Sequence, residues 1–421
     1  MSVFKIHPTT QQYDWGKPGF TSVVAQLAAA SGVPSLKDID ERKPYAELWM
    51  GTHPTSPSLV LSTNEPLSSH LAAHPELMGQ NVIRRFESQG AERGNLPFLF
   101  KILSIRKALS IQAHPDKKQA EEFHRMLPGV YKDDNHKPEM ALAVTPFRAL
   151  CGFRPLNEVA AYLRSTPELA ALIPRGVLTT FLDISSSSTP TGGKKKSALK
   201  ALFGALMTTP EEKVTSQLDL LVSRYKSTPP PDKDIVDLVL LLSSQYPHDV
   251  GILCAFLLNH IHLSPGSAIF LGAGEPHAYL SGDCIECMAN SDNVIRAGLT
   301  PKLRDVESLV GCLTYEAGEG GRHAVSPREW ARGQGRLYDP PVPEFAVLVG
   351  RVAEGKEERW GGVEGPSIVL VSEGRGEVVW DGDKGRMEIG KGDVFFIGAG
   401  TEVVLRGGEE EVVLYRAFVE V

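Results

Sequence analysis

The sequence predicts a mainly β protein with a helical insertion: two β-sandwich or jelly-roll units, and an α-helical domain that interrupts the first. Three observations predict it. The 421 residues include 40 glycines and 30 prolines, more chain punctuation than an all-helical protein tolerates and suited to short strands joined by turns. The apolar period changes from strand-like to helix-like near Arg154 and reverts near Ser264. The third is an internal repeat. Gly266-Ser-Ala-Ile-Phe-Leu-Gly-Ala-Gly-Glu-Pro-His277 resembles Gly392-Asp-Val-Phe-Phe-Ile-Gly-Ala-Gly-Thr-Glu-Val403 at a constant offset of 126 residues. Strand, glycine-rich turn, strand is a unit of such folds.

Taken in order, Pro97 to Ile105 is apolar around one lysine, Ala108 to His114 alternates, and Met140 to Phe147 is a short apolar stretch closed by Pro146. All three read as strands. Leu156 to Leu172, Ser197 to Met207, Pro210 to Tyr225 and Asp232 to Tyr246 read as helices, with Pro-Glu-Glu at 210–212 as a helix start. Ser185 to Lys196 reads as a mobile surface loop whose three lysines form either a solvated tip or a contact for an anionic partner. The expected division is 1–153 and 250–324 for the first β unit, 154–249 for the helical insertion, and 325–421 for the second β unit. A length of ~150 residues per domain allows this count.

Composition narrows the function. With 44 basic against 51 acidic residues the net charge is −7, the wrong sign for a nucleic-acid binder. The N-terminal residues lack an apolar core of signal-peptide length. The longest apolar run, Val250 to Leu258, is too short to span a bilayer. Five cysteines are too few and odd in number for a disulfide framework. The expectation is a reduced, soluble, cytoplasmic protein with no membrane or nucleic-acid partner.

On an extended Ala108-Leu-Ser-Ile-Gln-Ala-His-Pro115, Ser110, Gln112 and His114 share one face while Leu109, Ile111 and Ala113 share the other, which belongs in a core. The polar face fits either solvent or a metal. In His136-Lys-Pro-Glu-Met140, Lys137 and Glu139 face one way and lead into an apolar strand, so the segment is either a pocket mouth or a charged loop. Gly274-Glu-Pro-His-Ala-Tyr279 places His277 and Tyr279 on one face. Gln112, His114, Glu139 and His277 would together supply two imidazoles, a carboxylate and an amide oxygen, donors suited to Zn²⁺ or another first-row divalent ion. In Asp292-Asn-Val-Ile-Arg-Ala-Gly-Leu-Thr-Pro-Lys302, Arg296 and Lys302 could hold an anion or form surface ion pairs. Cys284-Ile-Glu-Cys287 has no second pair, so packed strand cysteines are favoured over a redox site. Trp15 and Trp49 could stack on a sugar or fill a core.

Seven motifs in order resemble the type I phosphomannose isomerases, zinc enzymes of the cupin superfamily. They are Tyr13-Asp-Trp-Gly16, Tyr45-Ala-Glu-Leu-Trp-Met-Gly-Thr-His-Pro54, Phe100-Lys-Ile-Leu103, Leu109-Ser-Ile-Gln-Ala-His-Pro-Asp116, His136-Lys-Pro-Glu139, Gly274-Glu-Pro-His-Ala-Tyr279 and Ser291-Asp-Asn-Val-Ile-Arg-Ala-Gly-Leu-Thr-Pro-Lys302. The resemblance covers nearly the whole chain and is poorest in the helical insertion, where length variation is expected not to touch the site. It implies two cupin units, and interconversion of mannose 6-phosphate and fructose 6-phosphate that supplies mannose for GDP-mannose and glycan synthesis. It also implies one zinc per chain on Gln112, His114, Glu139 and His277, with Arg296 catalytic. Pocket positions of the family fall on Trp15, Glu47, Lys101, Ser110, Lys137, Tyr279, Glu286, Asp292 and Lys302. The chain is expected to be a monomer whose partner is the small phosphosugar.

Aldose–ketose isomerisation through a cis-enediol(ate) needs stabilised oxyanions and a base for the C2 proton. One anionic ligand, Glu139, would leave the zinc a formal charge of about +1, and a neutral Gln112 preserves Lewis acidity. Glu286, Lys137 and a zinc-bound water or hydroxide are all admissible bases. Arg296 stays charged and suits electrostatic stabilisation. Lys101, Ser110 and Lys302 are the phosphate candidates. The second β unit has Val403 where the first has His277, so it is expected to hold no metal. The rivals are a metal-dependent cupin oxygenase, another sugar-phosphate isomerase, and a non-enzymatic sugar-phosphate-binding regulator. The regulator would predict losses among the ligand residues, and none is lost.

Overall fold

The fold is organised around one sheet whose outer surface is covered by two different bodies and whose inner surface buries side chains of its own strands. The computed structural model describes residues 1–33, 36–187 and 191–421. The central sheet is built on the long strand His277–Ala289, which pairs antiparallel with Phe98–Ile105, Glu139–Ala143 and Phe147–Phe153. Glu47–Met50 extends it beside Phe98–Ile105, and Ala268–Leu271 beside Glu139–Ala143. On part of its outer surface Leu150, Ala278 and Leu280, with Ile111 and Ala113, are buried against the helices of the insertion. Elsewhere Phe98, Phe100, Ile102, Ile285 and Cys287 pack against the C-terminal unit through Ile368, Leu370 and Phe396. The inner surface keeps Leu103, Tyr279 and Cys284 together. It is this inner surface that carries chemistry.

One irregularity decides which side chains reach it. Alternation alone would put His277 and Tyr279 on one face of their strand and Glu286 on the other. The register against Phe147–Phe153 shifts between Tyr279 and Ser281, a β-bulge that reverses the parity. Gly282 follows at φ 113°, and a Cβ there would meet the Pro146 carbonyl oxygen at 2.6 Å and Phe147 Cα at 2.9 Å. A lone glycine inside a strand pattern is the sequence trace of such a bulge.

The repeat is visible as structure. Ala268–Leu271 and Val394–Ile397 are strands related by the offset, and His277 and Val403 each begin the following strand. The turn glycines Gly274 and Gly400 share φ values of 69° and 71°. The interior of the C-terminal unit is filled by Trp360, Phe395, Val403 and Leu405 among others. One charge is buried there: Arg416 lies 5.4–5.5 Å from the Trp330, Trp360 and Phe418 rings and donates from Nε to Ser367 Oγ at 3.0 Å.

Several expectations need correction. Residues 1–153 do not belong wholly to the first unit, because Val3–His7 pairs with Val394–Ile397 in the C-terminal sheet and Leu59–Val60 pairs with Val3–His7 at its edge. The alternating Ala108 to His114 is a strand only over Ile111–Ala113. Leu109 precedes that strand and packs with the inner-face cluster, not with Ile111 and Ala113. The expected helix Leu156 to Leu172 breaks at Thr166, because Pro167 starts a new turn. Arg175–Ser186 is an additional helix. Of the expected Ser185 to Lys196 loop, Ser185 and Ser186 end that helix and Gly192 begins Gly192–Met207. Residues 188–190 of the loop lie outside the described residues. Cys284 and Cys287 face different cores and all five cysteines are buried and unpaired. No helix among the described residues is long and apolar enough to cross a membrane.

Replacing Gly282 with valine combines a backbone conformation unfavourable to L side chains with overlap against fixed backbone. Gly282→Val should lose about 2 kcal/mol or more in urea unfolding. A loss below about 0.5 kcal/mol would show that the bulge does not need glycine.

Candidate active site

Antiparallel register sets the first row of the site. Gln112 pairs with His277 on one side and with Arg296, from Ile295–Gly298, on the other. Three polar side chains therefore stand abreast on neighbouring strands. His114 follows Ile111–Ala113, and its carbonyl oxygen accepts the Gly274 N–H at 2.8 Å. That contact ties the two histidine-bearing segments together.

Both imidazoles are oriented by backbone carbonyls. His114 Nδ1 donates to the Asn293 carbonyl oxygen at 2.7 Å, and His277 Nδ1 to the Glu275 carbonyl oxygen at 2.9 Å. The Nε2 lone pairs are thereby left free and aimed inward. Glu139 lies between them, with Oε1 3.3 Å from His114 Nε2 and Oε2 3.3 Å from His277 Nε2. His114 Nε2, His277 Nε2 and Glu139 Oε2 are buried with no hydrogen-bond partner. Burial pushes the His114 imidazole down to about 4, so it is neutral at physiological pH. Burial alone would raise the Glu139 carboxyl, but Lys137 and His114 outweigh it and hold it well below the usual range. Two imidazoles and an ionised carboxylate, with unpaired donor atoms converging, fit a divalent zinc-like ion.

A second row lies beside the first. Trp49, Lys101 and Glu286 are cross-strand neighbours. Lys101 Nζ is 3.1 Å from Glu286 and 3.4 Å from Glu47, and Glu47 accepts the Trp49 indole N–H at 2.5 Å. Burial opposes the charge of Lys101, yet Glu47, Glu286 and Glu139 hold its ammonium above the usual range. Burial raises the Glu286 carboxyl, with Lys101 working against it.

These rows open into a cavity of about 340 Å³. Trp15, Glu47, Lys101, Ser110, Gln112 and Lys137 line it, as do Glu139, Tyr279, Glu286, Arg296 and Lys302. His114 and His277 stand behind the wall. Asp292 is not brought to it, and pairs instead with His53 Nε2 at 3.3 Å. Trp49 does not reach it either, and packs on Leu99 and Met288. Arg296 is half-buried, and its guanidinium has no hydrogen-bond or ion-pair partner among the described residues. Sequence reasoning missed Tyr13, Lys107 and Tyr246, all of which line the cavity. Lys107 lies over the Tyr246 ring at 4.2 Å, so the helical insertion does touch the site. Tyr13 opens the Tyr13-Asp-Trp-Gly16 motif and Lys107 adjoins the Leu109–Asp116 motif, whereas Tyr246 left no trace in the sequence.

A model of the phosphomannose isomerase type I catalytic domain matches residues 3–156, and one of the helical insertion domain of the same family matches residues 179–258. The mannose-6-phosphate isomerase of Cryptococcus neoformans is 48% identical over 441 residues, covering 100% of this chain and 99% of the relative. The chain belongs to the type I phosphomannose isomerase family. That of Saccharomyces cerevisiae is 43% identical with 99% of each chain covered. A zinc-bound mannose 6-phosphate isomerase crystal structure matches all of both chains with a TM-score of 0.80 at 30% identity. Members of this family are enzymes, and the two-unit β architecture with its helical insertion is theirs as well.

Removing Lys101 leaves Glu47 and Glu286 buried without their counter-charge. Lys101→Met should therefore destabilise the fold by about 3–5 kcal/mol. Adding Glu286→Gln should return about 1 kcal/mol or more in a double-mutant cycle by urea unfolding. Strict additivity would show that the pair is not coupled.

Proposed function

We propose that this chain is a zinc-dependent isomerase that interconverts mannose 6-phosphate and fructose 6-phosphate through a cis-enediol(ate). The observation that carries the reading is the convergence of three unpaired, buried donor atoms on His114, Glu139 and His277 beside the unpartnered guanidinium of Arg296. Family membership and the zinc-bound relative support it. Gln112, His114, Glu139 and His277 would hold the ion, which when bound supplies Lewis acidity toward the sugar oxygens.

The rest of the chemistry falls to the chain's own side chains. Glu286, with its carboxyl raised by burial, is suited to take the C2 proton and return one to C1. As C2 loses its proton, the C1 carbonyl oxygen gains one. The C2 hydroxyl then gives up its proton as C1 is protonated, leaving the ketose. Arg296 donates to the oxygen on which negative charge grows. Lys137, 3.2 Å from Glu139, keeps that carboxylate ionised. Tyr279 and Glu47 orient hydroxyls, and Trp15, stacked on Tyr13 with ring centroids 5.8 Å apart, walls the mouth. Asp292 acts through His53.

The phosphate assignment changes. Lys101 stands between two carboxylates that would repel a phosphate, so its charge is already satisfied. Ser110 and Lys302 remain, joined by Lys107, whose ion pair with the exposed Asp14 is long at 4.0 Å. The reading retains a monomer in the cytoplasm that supplies mannose for GDP-mannose and glycan synthesis. It also retains one zinc per chain, with none in the C-terminal unit. The domain division becomes 1–153 without the strands Val3–His7 and Leu59–Val60, 154–249, 250–324 and 325–421.

Isomerisation of mannose 6-phosphate in D₂O should place deuterium at C1 of fructose 6-phosphate, and Glu286→Gln should slow that exchange by about 10²-fold or more. Product free of deuterium would contradict a solvent-exchanging base at this step. Arg296→Lys should lower kcat by about 10²-fold, because a point charge lacks the planar fork. Lys107→Ala should instead raise KM with kcat little changed. An unchanged kcat in Arg296→Lys would make Arg296 a binding residue only.

A further inference from the structure

A second group of metal-donor side chains lies away from the active site, where the helical insertion meets the central β unit. His260 and His262 are two residues apart on Leu258–Leu263, so they project from one face, with ring centroids 4.4 Å apart. Asp234, in the first turn of Lys233–Gln245, reaches across to both. Its Oδ2 is 2.7 Å from His260 Nδ1 and its Oδ1 3.1 Å from His262 Nε2. All three donor atoms lie within 4.8 Å of one another.

We infer that Asp234, His260 and His262 form a second, exchangeable site for a divalent transition ion of the zinc or nickel class, which fastens the insertion's last helix to the sheet. Two imidazoles and one carboxylate are ligands for such ions, whereas a calcium or magnesium site would call for oxygens throughout. The His260 side chain is 0% exposed, while Asp234 and His262 are 50% and 57% exposed. One ligand is thus fixed and two face solvent, leaving room for water to complete the shell. Although burial works the other way, the two histidines hold the Asp234 carboxyl below its ordinary range, so it is ionised at neutral pH. Burial lowers His260, which favours its neutral, ligating form.

One residue opposes the ion. Arg148 Nε donates to His260 Nε2 at 3.3 Å. Coordination through Nδ1 moves the imidazole proton to Nε2, where it faces that donor, so Arg148 must turn away. The site is therefore weaker than the buried one, and it should tighten when Arg148 is removed. The same helix leads into Gln245 and Tyr246. Gln245 Oε1 accepts the Ala108 N–H at 2.9 Å, and the Tyr246 hydroxyl donates to the Ala108 carbonyl oxygen at 2.6 Å. Pinning one end of the helix thus steadies the segment that carries Lys107 at the cavity.

The test is Ni²⁺ titration of the zinc-loaded full chain by calorimetry, with hydrogen exchange read over Lys233–Gln245. The parent should bind one more ion per chain than His262→Ala, whose affinity should be at least about tenfold weaker. Arg148→Met should bind more tightly than the parent. Protection of the helix should rise with Ni²⁺ in the parent and not in His262→Ala. Equal binding by parent and His262→Ala, or weaker binding by Arg148→Met, would overturn the assignment. The difference between variants is independent of what the catalytic site holds, so its failure would not touch the isomerase reading.

Discussion

Two imidazoles and a carboxylate are held in the sheet interior with their best donor atoms turned toward one another, and the molecule is organised around that arrangement. The cost of leaving such atoms unsatisfied is high in an apolar interior. It is tolerated because each imidazole is already committed through Nδ1 to a backbone carbonyl, at Asn293 or Glu275. Those carbonyls are themselves fixed. Asn293, for example, donates from its amide to the Asp133 and Asn135 carbonyl oxygens at 2.8 and 2.9 Å. Ligand geometry is thus set by loops that are themselves held by hydrogen bonds.

Charge balance forms the next layer. Glu139 leans on Lys137, and Glu286 and Glu47 lean on Lys101, so the interior carries alternating charges that can be buried together. Arg296 is the exception, since no carboxylate among the described residues neutralises it. An unpartnered cation beside a line of paired ones marks where an external anion or developing oxyanion has to enter. The same reasoning separates Lys107 and Lys302, whose charges are available, from Lys101, whose charge is not.

Much of this was legible in the sequence because it is local. Gln112 and His114 share a motif, Glu139 follows Lys137 by two residues, and the repeat places Val403 at the position of His277, inside a unit whose interior is filled by apolar side chains. What was not legible depends on tertiary register. The bulge before Gly282 brings Glu286 to the same face as His277, although simple alternation would separate them. Strand Val3–His7 joins the far sheet because its partners lie almost 400 residues away along the chain. Tyr246 reaches the cavity only through the path of the insertion. Gly282 leaves a local trace of the bulge, but no local pattern says which strands pair or where the insertion runs. Asp292 shows the converse: its motif is local, but its carboxylate is taken by His53.

The central claim is that the orphaned donors of His114, Glu139 and His277 make activity depend on one tightly held zinc. The most direct measurement strips the protein with a chelator, returns Zn²⁺ in steps, and follows fructose 6-phosphate formation from mannose 6-phosphate alongside bound metal. Activity should vanish on stripping and return in proportion to zinc, reaching its maximum at one tight ion per chain, with no recovery in a folded His277→Ala variant. Full turnover in metal-free protein, or recovery in His277→Ala equal to that of the parent, would contradict the account.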